Sequence, residues 1–246
     1  MTGLARTRPV RLPFVLVAAL LALPAVGLSQ TPDTSLPAGP EPVVLPVNKT
    51  MNTQIKAAHE YIAAKDWDNA VKLLQRVLDE PQDALLEIEV KKPQGKPAVR
   101  HTSARAEAER ILSTLPKQGL AAYRVKMAGA ATIALGKAHA NPLLLDEVVR
   151  RYFLTDAGAQ ALAEMGAADL DRGRAEEAAD RFRRLLARPD VDELPPLALF
   201  QAALAFHGAN DAVYEDKAVQ VLARRLPAAG LAVGGQNLSL DDLRKE

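Results

Sequence analysis

The sequence contains no cysteine, and this one absence removes disulfides, thiolate metal ligands, cysteine nucleophiles and lipid attachment through sulfur. Aromatic residues make up only 4% of the chain, too few for the stacking platforms that hold single-stranded nucleic acid. Charge of one sign is not in excess either: 31 Lys+Arg face 30 Asp+Glu, a formal net charge of +1. Nucleic-acid-binding domains carry a basic stripe or patch, so that balance argues against DNA or RNA as a partner. Histidine is scarce as well, and His59, His101, His139 and His207 are too far apart in the chain to form a local metal-ligating pair. No His-Glu-x-x-His motif, Gly-x-Ser-x-Gly elbow or Gly-rich phosphate loop occurs. Asp169 and Asp171 sit two residues apart on a predicted helix and point to different faces, which makes them solvated charge rather than a catalytic pair. The chain therefore reads as a non-enzyme with no catalytic residues, no metal site and no cofactor.

What is present begins with an export signal. Arg6, Arg8 and Arg11 form a positive n-region, and residues 14–23 follow as an uninterrupted apolar run. Pro24 breaks the run, and Ala25, Gly27 and Ser29 supply the small residues of a cleavage site after Gly27 or Ser29. The alternative is an uncleaved anchor. Residues 12–28 are uncharged but contain Pro13 and Pro24, and their length is at the short edge of the ~17–25 residues that span a bilayer. Cleavage is the better reading, and it implies a periplasmic or secreted protein with no integral membrane span afterwards. Loss of the three arginines leaves 28 basic and 30 acidic side chains, a mature charge of −2. Residues 30–49 carry Pro32, Pro37, Pro40, Pro42 and Pro46, which oppose helix and central strand alike and predict a disordered linker.

From residue 50 the pattern becomes helical. Helices are predicted over 50–64 and 67–80, then 103–115, 119–140, 143–154 and 157–172, and finally over a segment from Ala175 that stops at Pro189, 197–207 and 212–226. A weak alternation over 85–90 admits a short hairpin. Trp67, Ala70, Val71, Leu74, Val77 and Leu78 make one apolar stripe at helical period. The stripe recurs at Ala175, Ala178, Ala179, Phe182, Leu185 and Leu186, each position displaced by 108 residues, and the preceding turn recurs with it. In the later copy Glu176 and Glu177 suit the helix N-terminus, and Arg183, Arg184 and Arg188 suit the C-terminus as a solvated face.

The repeated hairpin resembles the tetratricopeptide pattern, in which small and large residues interlock two helices. Leu162, Met165, Gly166, Asp169, Gly173, Ala178 and Phe182 carry the resemblance in the later copy, and Ala57, Ala58, Tyr61, Ala70 and Leu74 in the earlier one. It implies an all-α fold, a right-handed α-solenoid of antiparallel helix pairs built from degenerate repeats over residues 50–228. It also places the first-helix residues Asn52, Ile55, Lys56 and His59, and Gln160, Ala163, Glu164 and Ala167, on a binding groove. Neither set reproduces the basic clamp that such grooves use for C-terminal carboxylates.

A longer likeness runs through Val99-Arg100, Leu115-Pro116, Gly119-Leu120, Tyr123-Arg124 and the stretch from Arg151-Tyr152-Phe153-Leu154 to Thr155-Asp156-Ala157-Gly158. Together these are similar to the N-terminal helical segment of exported bacterial proteins that continue into a PQQ-binding-like β-propeller. No propeller blade follows in this chain, and residues 229–246 read as a tail or the start of a truncated continuation. The expectation is an envelope scaffold that binds other envelope proteins or peptides. The alternative is an accessory segment of a propeller oxidoreductase or outer-membrane assembly factor, inactive alone. Tyr123, Arg124, Arg151 and Tyr152 are the candidate partner-binding residues, because aromatics and arginines dominate interface hot spots; for Tyr152 the competing reading is core packing. The sequence does not reveal an oligomeric state.

Overall fold

The computed structural model describes residues 48–90, 98–226, 230–233 and 235–238. The predicted signal peptide, nearly all of the predicted linker and the residues from 239 onward lie outside the described residues. Among the described residues nine α-helices dominate, and the class is all-α with two small β-hairpins added. The chain runs α1 (Lys49–Ala63), α2 (Trp67–Asp79), β1 (Leu85–Val90), β2 (Ala98–Ser103), α3 (Ala104–Ser113) and α4 (Lys117–Ala140). It continues with α5 (Leu145–Tyr152), α6 (Asp156–Asp171), α7 (Ala175–Leu186), α8 (Pro196–Gly208) and α9 (Ala212–Arg225), and then β3 (Leu231–Val233) and β4 (Gln236–Leu238). Strand β1 pairs antiparallel with β2, and β3 with β4.

Polar side chains start several of these helices. Asn48 accepts from the Thr50 and Met51 amides, Asp66 from Asn69, Ser103 from Ala106, Thr155 from Gly158 and Asp211 from Tyr214. Each satisfies a first-turn N–H that has no intrahelical partner. Three hairpins, α1–α2, α6–α7 and α8–α9, then share one connection. Lys65, Gly173 and Asn210 all have positive φ, and each donates its amide to the carbonyl three residues back. The next residue in each case, Asp66, Arg174 or Asp211, donates to the carbonyl five residues back. That is the Schellman ending, repeated three times. So short a link between two helices in contact leaves an antiparallel pair.

Small residues set how closely helices approach. A Cβ on Gly158 would lie 2.0 Å from the Tyr152 carbonyl oxygen, and one on Gly166 would lie 2.7 Å from the ring of Phe182. Phe182 is wholly buried, so its ring has nowhere to retreat. Helix α4 buries Gly119, Ala131 and Ala138 but leaves most of its small residues outside the core. It packs against α2, α5 and α6, but Ala121, Val125, Ala128, Gly129, Ala130, Ile133, Gly136 and Ala140 are exposed. Gly129 and Gly136 have open space where a Cβ would go.

Opposite signs therefore follow for the same substitution. Gly129→Ala and Gly136→Ala should each stabilise by up to about 1 kcal/mol, because alanine is the better helix former and nothing obstructs it. Gly166→Ala should destabilise by about 1–3 kcal/mol through overpacking, and Gly158→Ala by at least as much. Urea midpoints of the four variants measure this.

Candidate functional site

A groove of about 460 Å³ opens between α6 and the segment leading into α8. One wall is a ladder along α6: Asp156, Ala159, Gln160, Ala163, Glu164 and Ala167, at successive three- and four-residue steps. The other wall is Leu194, Pro195, Leu197, Ala198 and Gln201, with Leu185, Arg188 and Asp190 also lining the groove. Four of the α6 residues, Gln160, Ala163, Glu164 and Ala167, are those that the tetratricopeptide resemblance implied for a groove. The earlier set, Asn52, Ile55, Lys56 and His59, likewise lines a concavity, shared with Glu87, Ile88, Val99 and Glu107.

The second wall rests on a buried ion pair. Arg188 follows α7, and its side chain is only 1% exposed. This corrects its reading as part of a solvated face. Arg188 Nε donates to Asp190 Oδ1 at 2.9 Å, and one terminal nitrogen donates to Oδ2 at 2.6 Å. The other terminal nitrogen donates to the carbonyls of Phe153 and Thr155. Asp190 also accepts from Arg124, which reaches the Leu154 carbonyl at 3.3 Å and Glu193 at 3.2 Å. Two guanidiniums thus read three consecutive carbonyls of the turn between α5 and α6, and Thr155 Oγ1 donates to a fourth, that of Tyr152, at 2.8 Å. This network fixes the floor of the groove relative to its α6 wall.

The structure places the four candidate contact residues around that same turn. Tyr123 is completely buried, with its hydroxyl 3.5 Å from the Arg151 carbonyl, and burial pushes its phenol well above the ordinary value. Tyr152 is mostly buried in the α5 stripe and, with Arg151, borders a concavity shared with Ala130, Ile133 and Lys137 of α4. Arg124 is taken up by Asp190, Glu193 and the Leu154 carbonyl. Arg151 is bound to Asp79 at 2.8 Å and Glu147 at 3.2 Å, and it lies over the Tyr152 ring. Tyr123 and Arg124 are committed to contacts within the fold, whereas Arg151 and Tyr152 border the surface.

Asp169 is a second departure from the solvated-charge expectation. It lies buried at the end of α6, with Arg174 and Arg181 both on its carboxylate. Burial alone would raise its pKa, but the Arg181 and Arg174 guanidiniums outweigh that and hold it below the ordinary carboxylate range. At the α6 wall, Glu164 accepts from Gln160 at 2.9 Å and faces His139 at 3.0 Å. Among the described residues no group of three or more His, Asp or Glu side chains is placed to hold a metal ion. No helix among them is long and apolar enough to cross a membrane. Compared with protein-family models, curated proteins and solved structures, the chain matches none.

Two outcomes test this arrangement. Asp190→Ala strands Arg188 without its counter-ion and should destabilise by about 3–5 kcal/mol. The paired Arg188→Met/Asp190→Leu variant removes both charges and should lose far less, as denaturant unfolding will show. The lowered Asp169 pKa means that its stabilisation is complete above the unfolded-state value of about 3.9 and fades as pH falls through the lower folded value. Asp169→Asn should therefore destabilise near neutral pH by about 1–2 kcal/mol, allowing for the half-exposed arginines. The gap from the parent should close in unfolding curves taken toward pH 2.

Proposed function

We propose that the chain is a non-enzymatic, exported helical-repeat scaffold that binds another envelope protein or peptide through the α6–α8 groove. Its hairpins are read as degenerate tetratricopeptide-like units stacked as a right-handed solenoid. A hairpin leaves one apolar face uncovered, which its neighbour then buries, and the first helices line a continuous surface. The observation that carries the proposal is the groove wall itself. A first helix presents small and polar residues at consecutive three- and four-residue steps opposite the next first helix, and the cavity is of ligand-binding size. Three hairpins closed by the same hydrogen-bonded turn support the repeat reading. Export rests on the n-region arginines, the apolar run and the small residues at Gly27 and Ser29.

The test places the photo-reactive residue p-benzoylphenylalanine in the full chain, expressed in a bacterial host that exports it. It replaces Gln160 or Leu197 in the groove, or Val213, which is 78% exposed on α9 and lies outside the groove. Irradiation should yield a defined adduct with an envelope protein from the two groove positions and none from Val213. Equal adducts from all three, or none from the groove, would remove the groove as the binding surface. Amino-terminal sequencing of the exported chain should begin at Leu28 or Gln30.

A further inference from the structure

The α6–α8 groove has a definite electrostatic character. Four carboxylates line it, those of Asp156, Glu164, Asp190 and Glu193, against the single guanidinium of Arg188. That guanidinium is unavailable to a ligand, because Asp190 and the Phe153 and Thr155 carbonyls occupy it and it is almost wholly buried. Asp190 is occupied in turn by Arg188 and Arg124. Glu193 at the rim is shared with Arg124, and Glu164 has one oxygen against His139 and Gln160, so the negative charge a ligand meets is carried by Asp156 and the remaining oxygen of Glu164 along α6. Between these acids the walls are aliphatic and short. Ala159, Ala163 and Ala198 leave room, and Leu194 and Leu197 supply apolar surface opposite.

We infer that this groove selects a cationic, apolar stretch of polypeptide, in which an aliphatic side chain is flanked by lysine or arginine. The inference rests on the groove being the binding surface and adds the chemistry of its occupant. Spacing makes it specific. Asp156 and Glu164 are eight residues apart on one helix, about 12 Å along the axis. In an extended strand the residues i and i+4 are about 13 Å apart and point to the same side. An extended segment lying along α6 with lysines at i and i+4 sets one ammonium beside each carboxylate. The aliphatic side chain at i+2 then falls between them, beside Ala159 and Ala163. A free C-terminal carboxylate would meet repulsion here, and so would an acidic segment. Gln201 on the second wall offers its amide to the ligand backbone.

Three fluorescein-labelled peptides are the probes, differing only in a central five-residue core. The cores are Lys-Ser-Leu-Ser-Lys, Glu-Ser-Leu-Ser-Glu and Lys-Ser-Ser-Ser-Lys. Anisotropy titrations on the exported chain should show that the first binds and the second does not. The third should bind at least ten-fold more weakly, since it lacks the side chain that buries apolar area. Amide resonances that shift should belong to α6 and to residues 193–201. The double variant Asp156→Asn/Glu164→Gln should weaken the first peptide about five-fold or more at low salt, a difference that shrinks as salt screens the exposed charges. Ala163→Phe, which fills the groove, should abolish binding while the unfolding temperature stays within a few degrees of the parent. The inference is overturned if the lysine and glutamate cores bind equally, if the leucine makes no difference, or if the shifts map elsewhere. Groove adducts in the cross-linking experiment without binding of the lysine–leucine core would leave the groove standing and refute its cationic selectivity.

Discussion

One guanidinium organises the region where the candidate site forms. Arg188 is a buried guanidinium, so the fold must surround it with acceptors or lose several kcal/mol to desolvation. It finds them in two places that are remote in sequence: the Asp190 carboxylate two residues on, and the Phe153 and Thr155 carbonyls of the turn between α5 and α6. The chain leaving α7 is thereby tied to the chain entering α6. Phe153 completes the arrangement, with the Arg184 and Arg188 guanidiniums 4.5 and 5.4 Å from the centre of its ring. Because Gly158 passes so near the Tyr152 carbonyl, the turn itself has little freedom. Groove floor and groove wall are consequences of this single knot.

Residues far from that knot answer to it as well. Tyr123 and Gln75 both approach the Arg151 carbonyl from α4 and α2, and Arg150 donates to the Leu78 and Glu80 carbonyls at the end of α2. A helix ends with carbonyls that have no intrahelical partner, and here a side chain from α5 supplies one. The stretch from Arg150 to Gly158 is therefore read by polar groups from α2, α4 and the end of α7. Its dense use of side chains has a structural explanation without any ligand.

The helices that were legible in the sequence are those with one apolar face. In α2 and α7 the stripes Ala70, Val71, Leu74, Val77, Leu78 and Ala178, Ala179, Phe182, Leu185, Leu186 are all buried. Helix α8 is apolar nearly all round, so its sequence shows a helix but not which side faces inward. In α4, alanine and glycine hide the direction of the core for a different reason: they are small enough to sit on either side. One wall of the groove was legible because the tetratricopeptide resemblance implies that first helices line a groove, and helical period then picks out Gln160, Ala163, Glu164 and Ala167. The other wall was not. It depends on Arg188 and Asp190 turning inward, and a charged pair two residues apart after a helix looks the same whether it is solvated or buried. The same ambiguity conceals Asp169, whose partners lie on the far side of a turn. Hairpin α8–α9 does not show in the sequence as a further copy because its second helix shifts the apolar stripe, although the backbone hydrogen bonds match those at Lys65 and Gly173.

Trp67 opens α2 half-buried, with its indole against Gly119 at the start of α4, where an added Cβ would come within 3.0 Å of the ring. It is also the chain's one tryptophan. The contact between these two helices is therefore optically isolated. Emission excited at the red edge of the indole band originates from this seam alone, without any added label. Near-ultraviolet dichroism, dominated elsewhere by Tyr123, Tyr152 and the buried phenylalanines, reports the rest of the interior. The protein carries a separate gauge for its first hairpin, so partial opening at that end can be told from loss of the whole fold.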